Sequence, residues 1–266
     1  MAKPFLKWPG GKRWLVPYVH ELLSKQIYNR YFEPFLGGGA VFFGLQPETA
    51  ILSDINADLV NTYLQVKEKP YDLLERLKSL PIEKETYLLL RDTEPVDPVG
   101  KAVRFLYLNR TAFGGMYRLN QEGHFNVPYG GGQRTPAPLW QDNLLINAAA
   151  VLKGATIITT DFEEVLKEAG QGDLVYCDPT YTVTHSNNGF LRYNERNFSW
   201  SDQKRLARVS REASARGATI LISNAFHNEI AGLYWDATMY TLERKSLLCP
   251  VPSKRQVVQE YLFVLS

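Results

Sequence analysis

Apolar residues in this chain come in short runs bounded by glycine, proline or an acid, and between those runs the spacing lengthens to that of helices. "YFEPFLGGGAVFFGL", residues 31 to 45, starts as a short strand, breaks at Gly37, Gly38 and Gly39, and resumes at Ala40 as the opening of a helix. "TAILSDIN" (49 to 56) is an apolar strand that runs out at Asp54. From 57 to 95, the stretches "ADLVNTYLQVKEK" and "YDLLERLKSL" predict amphipathic helices, the leucines of the second standing at helical spacing. Strand signals return in "ATIITTDF" (155 to 162), "DLVYCDP" (173 to 179) and "ATILISN" (218 to 224), with the helical stretches "FEEVLKEAG" and "SDQKRLARVSREASARG" between them. Strands alternating with helices predict a doubly wound α/β fold with a mainly parallel sheet. The tail, "MYTLERKSLLCPVPSKRQVVQEYLFVLS", reads as a terminal hairpin that joins this sheet. One segment breaks the alternation: residues 110 to 138 are rich in Gly, Pro, Asn and aromatics, which predicts loops and a hairpin exposed for recognition.

Composition narrows the picture. A chain of 266 residues, 45% of them hydrophobic, can bury a full core as one large domain or one and a half. The net charge of +2 does not announce nucleic acid, but the charge is unevenly placed: residues 1 to 30 hold six Lys or Arg against one acid, and residues 101 to 140 hold five against one. Two cysteines, Cys177 and Cys249, cannot support a disulfide framework and suggest a reducing compartment. The first residues carry Lys3, Lys7 and Lys12 without an apolar stretch behind them, and no run approaches the roughly 20 apolar residues that cross a bilayer. The expectation is a cytoplasmic protein that does not contact membranes.

Two loops invite a chemical reading. Gly37 and Gly39 follow a strand, but a dinucleotide fingerprint would place its third glycine at Phe42, which disfavours a hydride-transfer dehydrogenase. "PGGKRW" (9 to 14) lacks the spacer and the Ser or Thr of a phosphate-binding loop, which disfavours a kinase or ATPase. Glu33 stands before the glycines and Asp54 stands 17 positions after Gly37, so the loop is flanked by acids. Acids repel phosphate, and this set suits a cofactor with a cationic or hydroxyl-rich portion. The second loop, "YCDPTY" (176 to 181), puts Asp178 and Pro179 at the carboxyl end of an apolar strand, where open parallel sheets bind ligands.

"DPTY" closely resembles the (D/N/S)PP(Y/F/W) motif of amino-group DNA methyltransferases, and the rest of the chain resembles the Dam-type DNA adenine-N6 methyltransferases of the D12 class, alpha group. "FLKWPGGKRWL" is similar to that family's N-terminal motif, "FEPFLGGGAVF" to its cofactor loop, "LSDIN" to its ribose acid, and "FLYLNRTAFGGMYRLNQEGHFNVPYG" to its DNA-recognition signature. The matches occur in family order from Phe5 almost to the end of the chain.

The resemblance implies a class I S-adenosylmethionine-dependent methyltransferase, Rossmann-like, with residues 1–56 and 148–266 as the catalytic domain and residues 57–147 as an inserted helical domain that recognises double-stranded DNA. It implies transfer of a methyl group to adenine N6, at GATC, by base flipping. Asp178 and the Pro179 carbonyl would accept hydrogen bonds from the amino group, and Tyr181 would stack on the base. Trp8, Lys12, Glu33, Phe35, Gly37, Gly39, Asp54, Asp161 and Phe162 match the family's cofactor contacts. The alternative for Trp8 and Phe162 is plain core packing. Lys7 matches the lysine that reads the first guanine, Arg118 the arginine at the outer base pair of the other end, and Pro128 an apolar contact to thymine. Asn120 lies within the same recognition string, and Phe113 matches an aromatic wedge beside the flipped base. No metal is required, and a monomer in solution is expected.

Two positions depart from the pattern. Thr180 stands where the family has a second proline, so the backbone that aims Tyr181 is less restricted, and reduced turnover is expected. Gly114 stands where an asparagine follows the wedge aromatic. Rival readings are an amino-methyltransferase acting on cytosine N4 or on RNA, which the string from Arg118 to Pro128 argues against, and a relative that binds DNA with little or no catalysis. Whether the chain serves a restriction-modification system, a phage or a solitary role is not written in these motifs.

Overall fold

A computed structural model describes residues 2–8, 10–24, 27–120, 122–132, 135–182, 198–245 and 257–266; Cys249 and the middle of the expected terminal hairpin lie outside the described residues. Strands β1 (Tyr31–Glu33), β2 (Ala50–Asp54), β3 (Ala155–Thr159), β4 (Leu174–Cys177), β5 (Thr219–Ala225), β6 (Thr238–Lys245) and β7 (Val257–Leu265) form a seven-stranded sheet in the order β3-β2-β1-β4-β5-β7-β6. β1 pairs in parallel with β2 and β4, and β4 with β5, whereas β7 runs antiparallel to both β5 and β6. This is the expected α/β fold with a mainly parallel sheet. β4 shows why: Leu174, Val175, Tyr176 and Cys177 are all buried, the unbroken apolar run of a strand covered on both faces.

By packing the chain divides into two compact units. The first comprises Met1–Tyr18, Gly37–Glu48 and Asn56–Thr159. After α1 (Val16–Leu23) in chain order, it holds α2 (Ala40–Leu45), α3 (Ala57–Glu68), α4 (Pro70–Ser79), α5 (Lys84–Asp92), α6 (Pro98–Thr111), the single turn α7 (Pro136–Leu139) and α8 (Asp142–Leu152). α6 is the hub, packing against α3, α4 and α5. The periodicity did not predict it, because Val99, Ala102, Val103, Phe105, Leu106, Tyr107 and Leu108 are buried around most of its circumference and leave no polar stripe. Its start is local chemistry: the Asp97 carboxylate accepts from Gly100 N at 2.9 Å and Pro98 occupies the first turn.

The second unit comprises Val19–Leu36, Thr49–Ile55 and Thr160–Ser266. It contains β1, β2 and β4 to β7, with α9 (Phe162–Glu168), α10 (Trp200–Ala215) and α11 (Asn228–Leu233). A reciprocal Ser199–Asp202 capping box starts α10. The tail forms the expected hairpin pairing, from Thr238 opposite Val264 to Lys245 opposite Val257. Among the described residues no helix is long and apolar enough to cross a membrane.

Candidate active site

Three strands of the second unit end in acids. Glu33 closes β1, Asp54 closes β2, and Asp178 directly follows β4. Glu33 is 2% exposed, and the Tyr31 hydroxyl donates to its Oε2 at 2.6 Å. Burial and then the Glu33 carboxylate push the Tyr31 phenol well above its ordinary range, so it stays a donor. Asp178 is half-buried and accepts from Ser223 Oγ at 2.7 Å; that oxygen also lies 2.9 Å from the Tyr176 hydroxyl. Pro179 is buried, Thr180 exposed and Tyr181 half-buried. The Tyr181 hydroxyl donates to Glu260 Oε2 at 2.7 Å, and Arg244 Nε donates to Glu260 Oε1 at 2.5 Å. Burial first, then the carboxylates of Asp178 and Glu260, raise the Tyr181 phenol well above its ordinary range. Ser223, Arg244 and Glu260 escaped the sequence reading. The signal was present for the last of these: "VVQEYLFVL" sets one acid inside an apolar strand, and a carboxylate is almost never fully buried unless it is paired.

Rings gather elsewhere in the same unit. Phe35 stacks on Phe162 with centroids 5.2 Å apart, and Phe198 meets both rings, at 5.5 and 5.7 Å. Phe162 is 4% exposed, so core packing is a substantial part of its role; Phe35 is the half-buried member. Asp161 is occupied by the protein itself, since Oδ1 accepts from Glu163 N at 2.9 Å as the cap of α9, and Oδ2 accepts from Arg205 at 2.8 Å. The same guanidinium lies over the Phe162 ring, 4.4 Å from its centroid.

In the first unit the glycine loop is shaped by its neighbours. Gly37 and Gly39 have φ of 46° and 62°, the left-handed region that glycine occupies without strain. A Cβ at Gly37 would stand 2.8 Å from Trp8 Nε1, one at Gly38 2.8 Å from Trp8 Cβ, and one at Gly39 2.9 Å from the Tyr63 hydroxyl. Tyr63 in turn donates to the Gly37 carbonyl at 3.1 Å. Trp8 thus lies against the loop, with Tyr117 stacked on its indole at 5.6 Å. Lys12 is buried, only 4% exposed.

The residues expected to recognise DNA also lie in the first unit. Lys7 is exposed, but its backbone is pinned: its N–H donates to Asn109 Oδ1 at 2.9 Å, and Asn109 Nδ2 donates to its carbonyl at 2.7 Å. A Cβ at Gly115 would collide with Lys7 Cδ, so the glycine makes room for the lysine stem. Phe113 is 58% exposed, and its N–H donates to the Pro128 carbonyl at 2.9 Å, which joins the expected wedge aromatic to the expected thymine contact. Between them runs the expected hairpin, with Leu119 bridging Phe125 antiparallel. Arg118 donates from Nε to Asn126 Oδ1 at 2.8 Å, a tether that sequence reasoning missed. The Asn120 side-chain oxygen Oδ1 is committed to the turn, accepting from Glu122 N at 3.0 Å and His124 N at 2.9 Å.

Comparison with known proteins gives a consistent result. The family described as D12 class N6 adenine-specific DNA methyltransferase matches residues 8–247. The chain is 37% identical to the type II methyltransferase M1.LlaDCHI of Lactococcus lactis subsp. cremoris, over 91% of this chain and 87% of that protein. It is 33% identical to the type II methyltransferase M.MjaIII of Methanocaldococcus jannaschii over 99% of each chain, and 32% identical to the DNA adenine methylase of Serratia marcescens over 98% of this chain and 97% of that one. A family match spanning most of the sequence, with relatives of that identity aligned along most of their own length, establishes that the chain belongs to the D12 class of N6 adenine-specific DNA methyltransferases.

Proposed function

We propose that this enzyme methylates adenine N6 within GATC in duplex DNA, takes the methyl group from S-adenosylmethionine, and acts on a base flipped out of the helix. The observation that carries the reading is the turn after β4: Asp178 held by Ser223, followed by buried Pro179 and half-buried Tyr181. An adenine amino nitrogen is a poor nucleophile because its lone pair is delocalised into the ring. Hydrogen bonds accepted from both N–H groups, one by the Asp178 carboxylate and one by the Pro179 carbonyl, return electron density to nitrogen as the transition state forms. Tyr181 stacks on the extruded base; such stacking is worth about 1–3 kcal/mol in single-strand binders and offsets an unstacking cost of roughly a few kcal/mol.

When bound, S-adenosylmethionine supplies an electrophilic methyl on a sulfonium. The donor chemistry fits it: buried Glu33 suits a cationic amino group, Asp54 at the end of β2 suits ribose hydroxyls, and the Phe35 and Phe162 pair beside Asp161 suits a flat base. Trp8, Lys12, Gly37 and Gly39 carry the family's remaining cofactor matches. On the DNA side, Lys7 and Arg118 would donate to guanine O6 and N7 in the major groove, Pro128 would touch a thymine methyl, and Phe113 would fill the gap left by the extruded base. Asn120 Oδ1 is engaged in its own turn, which leaves its side-chain amide N–H groups as the donors it would offer to DNA.

The test is tritiated methyl transfer to two duplexes, one with a single GATC and one with that adenine already methylated on both strands, with Asp178→Ala as control. Incorporation confined to the first duplex and lost in the control is expected. Equal incorporation into both duplexes would overturn the site, and full activity of Asp178→Ala would overturn the chemistry.

A further inference from the structure

Strand register places an uncommon set of side chains on one face of the sheet. Tyr176 lies opposite Leu221, Ser223 two residues on lies opposite Leu262, Glu260 lies two residues before that, and Leu242 opposite Glu260 leads to Arg244. Side chains two apart share a face, so Tyr176, Ser223, Glu260 and Arg244 line a single surface. β5 thereby delivers Ser223 to Asp178, and β7 delivers Glu260 to Tyr181. Glu260 is 1% exposed, and its two oxygens serve different partners, Arg244 and the Tyr181 hydroxyl.

We propose that Glu260, held by Arg244, is a positioning residue that fixes the Tyr181 ring for stacking on the target base and supplies the restraint that a second proline would give at position 180. This rests on the reading of Tyr181 as the stacking residue. Thr180 is exposed, with a free φ and an N–H that proline lacks, so the backbone alone sets the direction of the next side chain loosely. A hydrogen bond to the far end of the ring, accepted by a carboxylate that a guanidinium holds in place, restrains the ring from the side opposite its Cα. Such charge-assisted bonds are short and directional.

The experiment uses the full-length chain and measures single-turnover methyl transfer to a GATC duplex at saturating S-adenosylmethionine, with cofactor affinity measured separately. Tyr181→Phe removes only the hydroxyl, and is expected to slow transfer about tenfold, the worth of one hydrogen bond to a charged group, with cofactor affinity unchanged. Glu260→Gln should slow transfer by a similar or smaller factor, and the double variant should be no slower than Tyr181→Phe alone. On a Thr180→Pro background most of both losses should disappear. Independent, multiplying losses in the double variant, or equal losses with and without the added proline, would overturn the proposal. If Glu260→Gln does not fold, Tyr181→Phe measured with and without Thr180→Pro still decides it. Tyr181→Ala separates the two levels: full activity there would sink the stacking reading itself, whereas a slow Tyr181→Ala beside a full-rate Tyr181→Phe would leave stacking intact and remove Glu260 from it.

Discussion

Replacing Asn109 with leucine tests how Lys7, the proposed reader of the first base pair, is held. Asn109 is fully buried on α6, and both ends of its amide pair with the backbone of Lys7, at 2.9 and 2.7 Å. Leucine keeps the volume and removes both bonds, leaving one N–H and one carbonyl of Lys7 without those partners. At about 1–1.5 kcal/mol each, the expected loss is about 2–3 kcal/mol, or a melting temperature lower by about 5–10 °C for a chain of this size. Gly115 bounds the lysine stem on its other side, so the backbone is the part set free. Discrimination at the first base pair of GATC should therefore fall as far as it does in Lys7→Ala, by about 1–3 kcal/mol in kcat/KM between GATC and duplexes altered at that position. Thermal melting and paired-substrate kinetics measure the two effects separately. An unchanged melting temperature would refute the energetic argument, and a lowered one with discrimination intact would refute the claim that Asn109 places a base-reading lysine.

Gly37→Ala should destabilise the first unit by about 1–3 kcal/mol, because the new Cβ combines a positive φ with the 2.8 Å approach to Trp8 Nε1; denaturant unfolding of this variant with and without Trp8→Ala should show strong coupling, and simple additivity would contradict it. Gly114→Asn should be accepted within about 0.5 kcal/mol, since φ is 64°, asparagine tolerates that region, and the nearest atom to a Cβ is Met116 Cγ at 3.7 Å; a large loss of stability would show that the glycine is required. The phenols of Tyr31, Tyr176 and Tyr181 all have pKa values raised above the ordinary value of 10.0, chiefly by desolvation. Their contribution to stability is complete below about pH 10 and is lost as pH rises above it, because only the unfolded chain ionises them readily. Unfolding midpoints measured from pH 8 to 11 should fall only at the top of that range, and a midpoint that rises there would refute the assignment.

The sheet was legible because its signals are local and additive. Unbroken apolar runs ending on an acid located β1, β2 and β4, and those same ends located Glu33, Asp54 and Asp178; the apolar run ATILISN located β5. α6 was hidden because burial around most of its circumference erases the amphipathic stripe, and α11 because six residues with a histidine cap offer too little pattern to read. The supporting partners were hidden for a different reason. Asn109 lies 102 positions from Lys7, Glu260 79 from Tyr181 and Ser223 45 from Asp178, and no periodicity within one element reports a pairing across that distance. Asn120 shows the converse: it stands in the string that resembles a DNA-recognition signature, and its side-chain oxygen Oδ1 also serves the local turn.

The polar line of Tyr176, Ser223, Glu260 and Arg244 through the sheet also bears on how this enzyme could be stabilised. A buried ion pair adds little net stability, since desolvation cancels much of the attraction, and a well-packed apolar replacement of the whole set can gain about 1–4 kcal/mol. Combining Arg244→Met, Glu260→Leu and Tyr181→Phe should accordingly give a chain that melts higher and methylates poorly. Selection for thermal resistance alone would drift toward that slower form, so any stabilisation campaign needs a methylation screen to keep these residues in place.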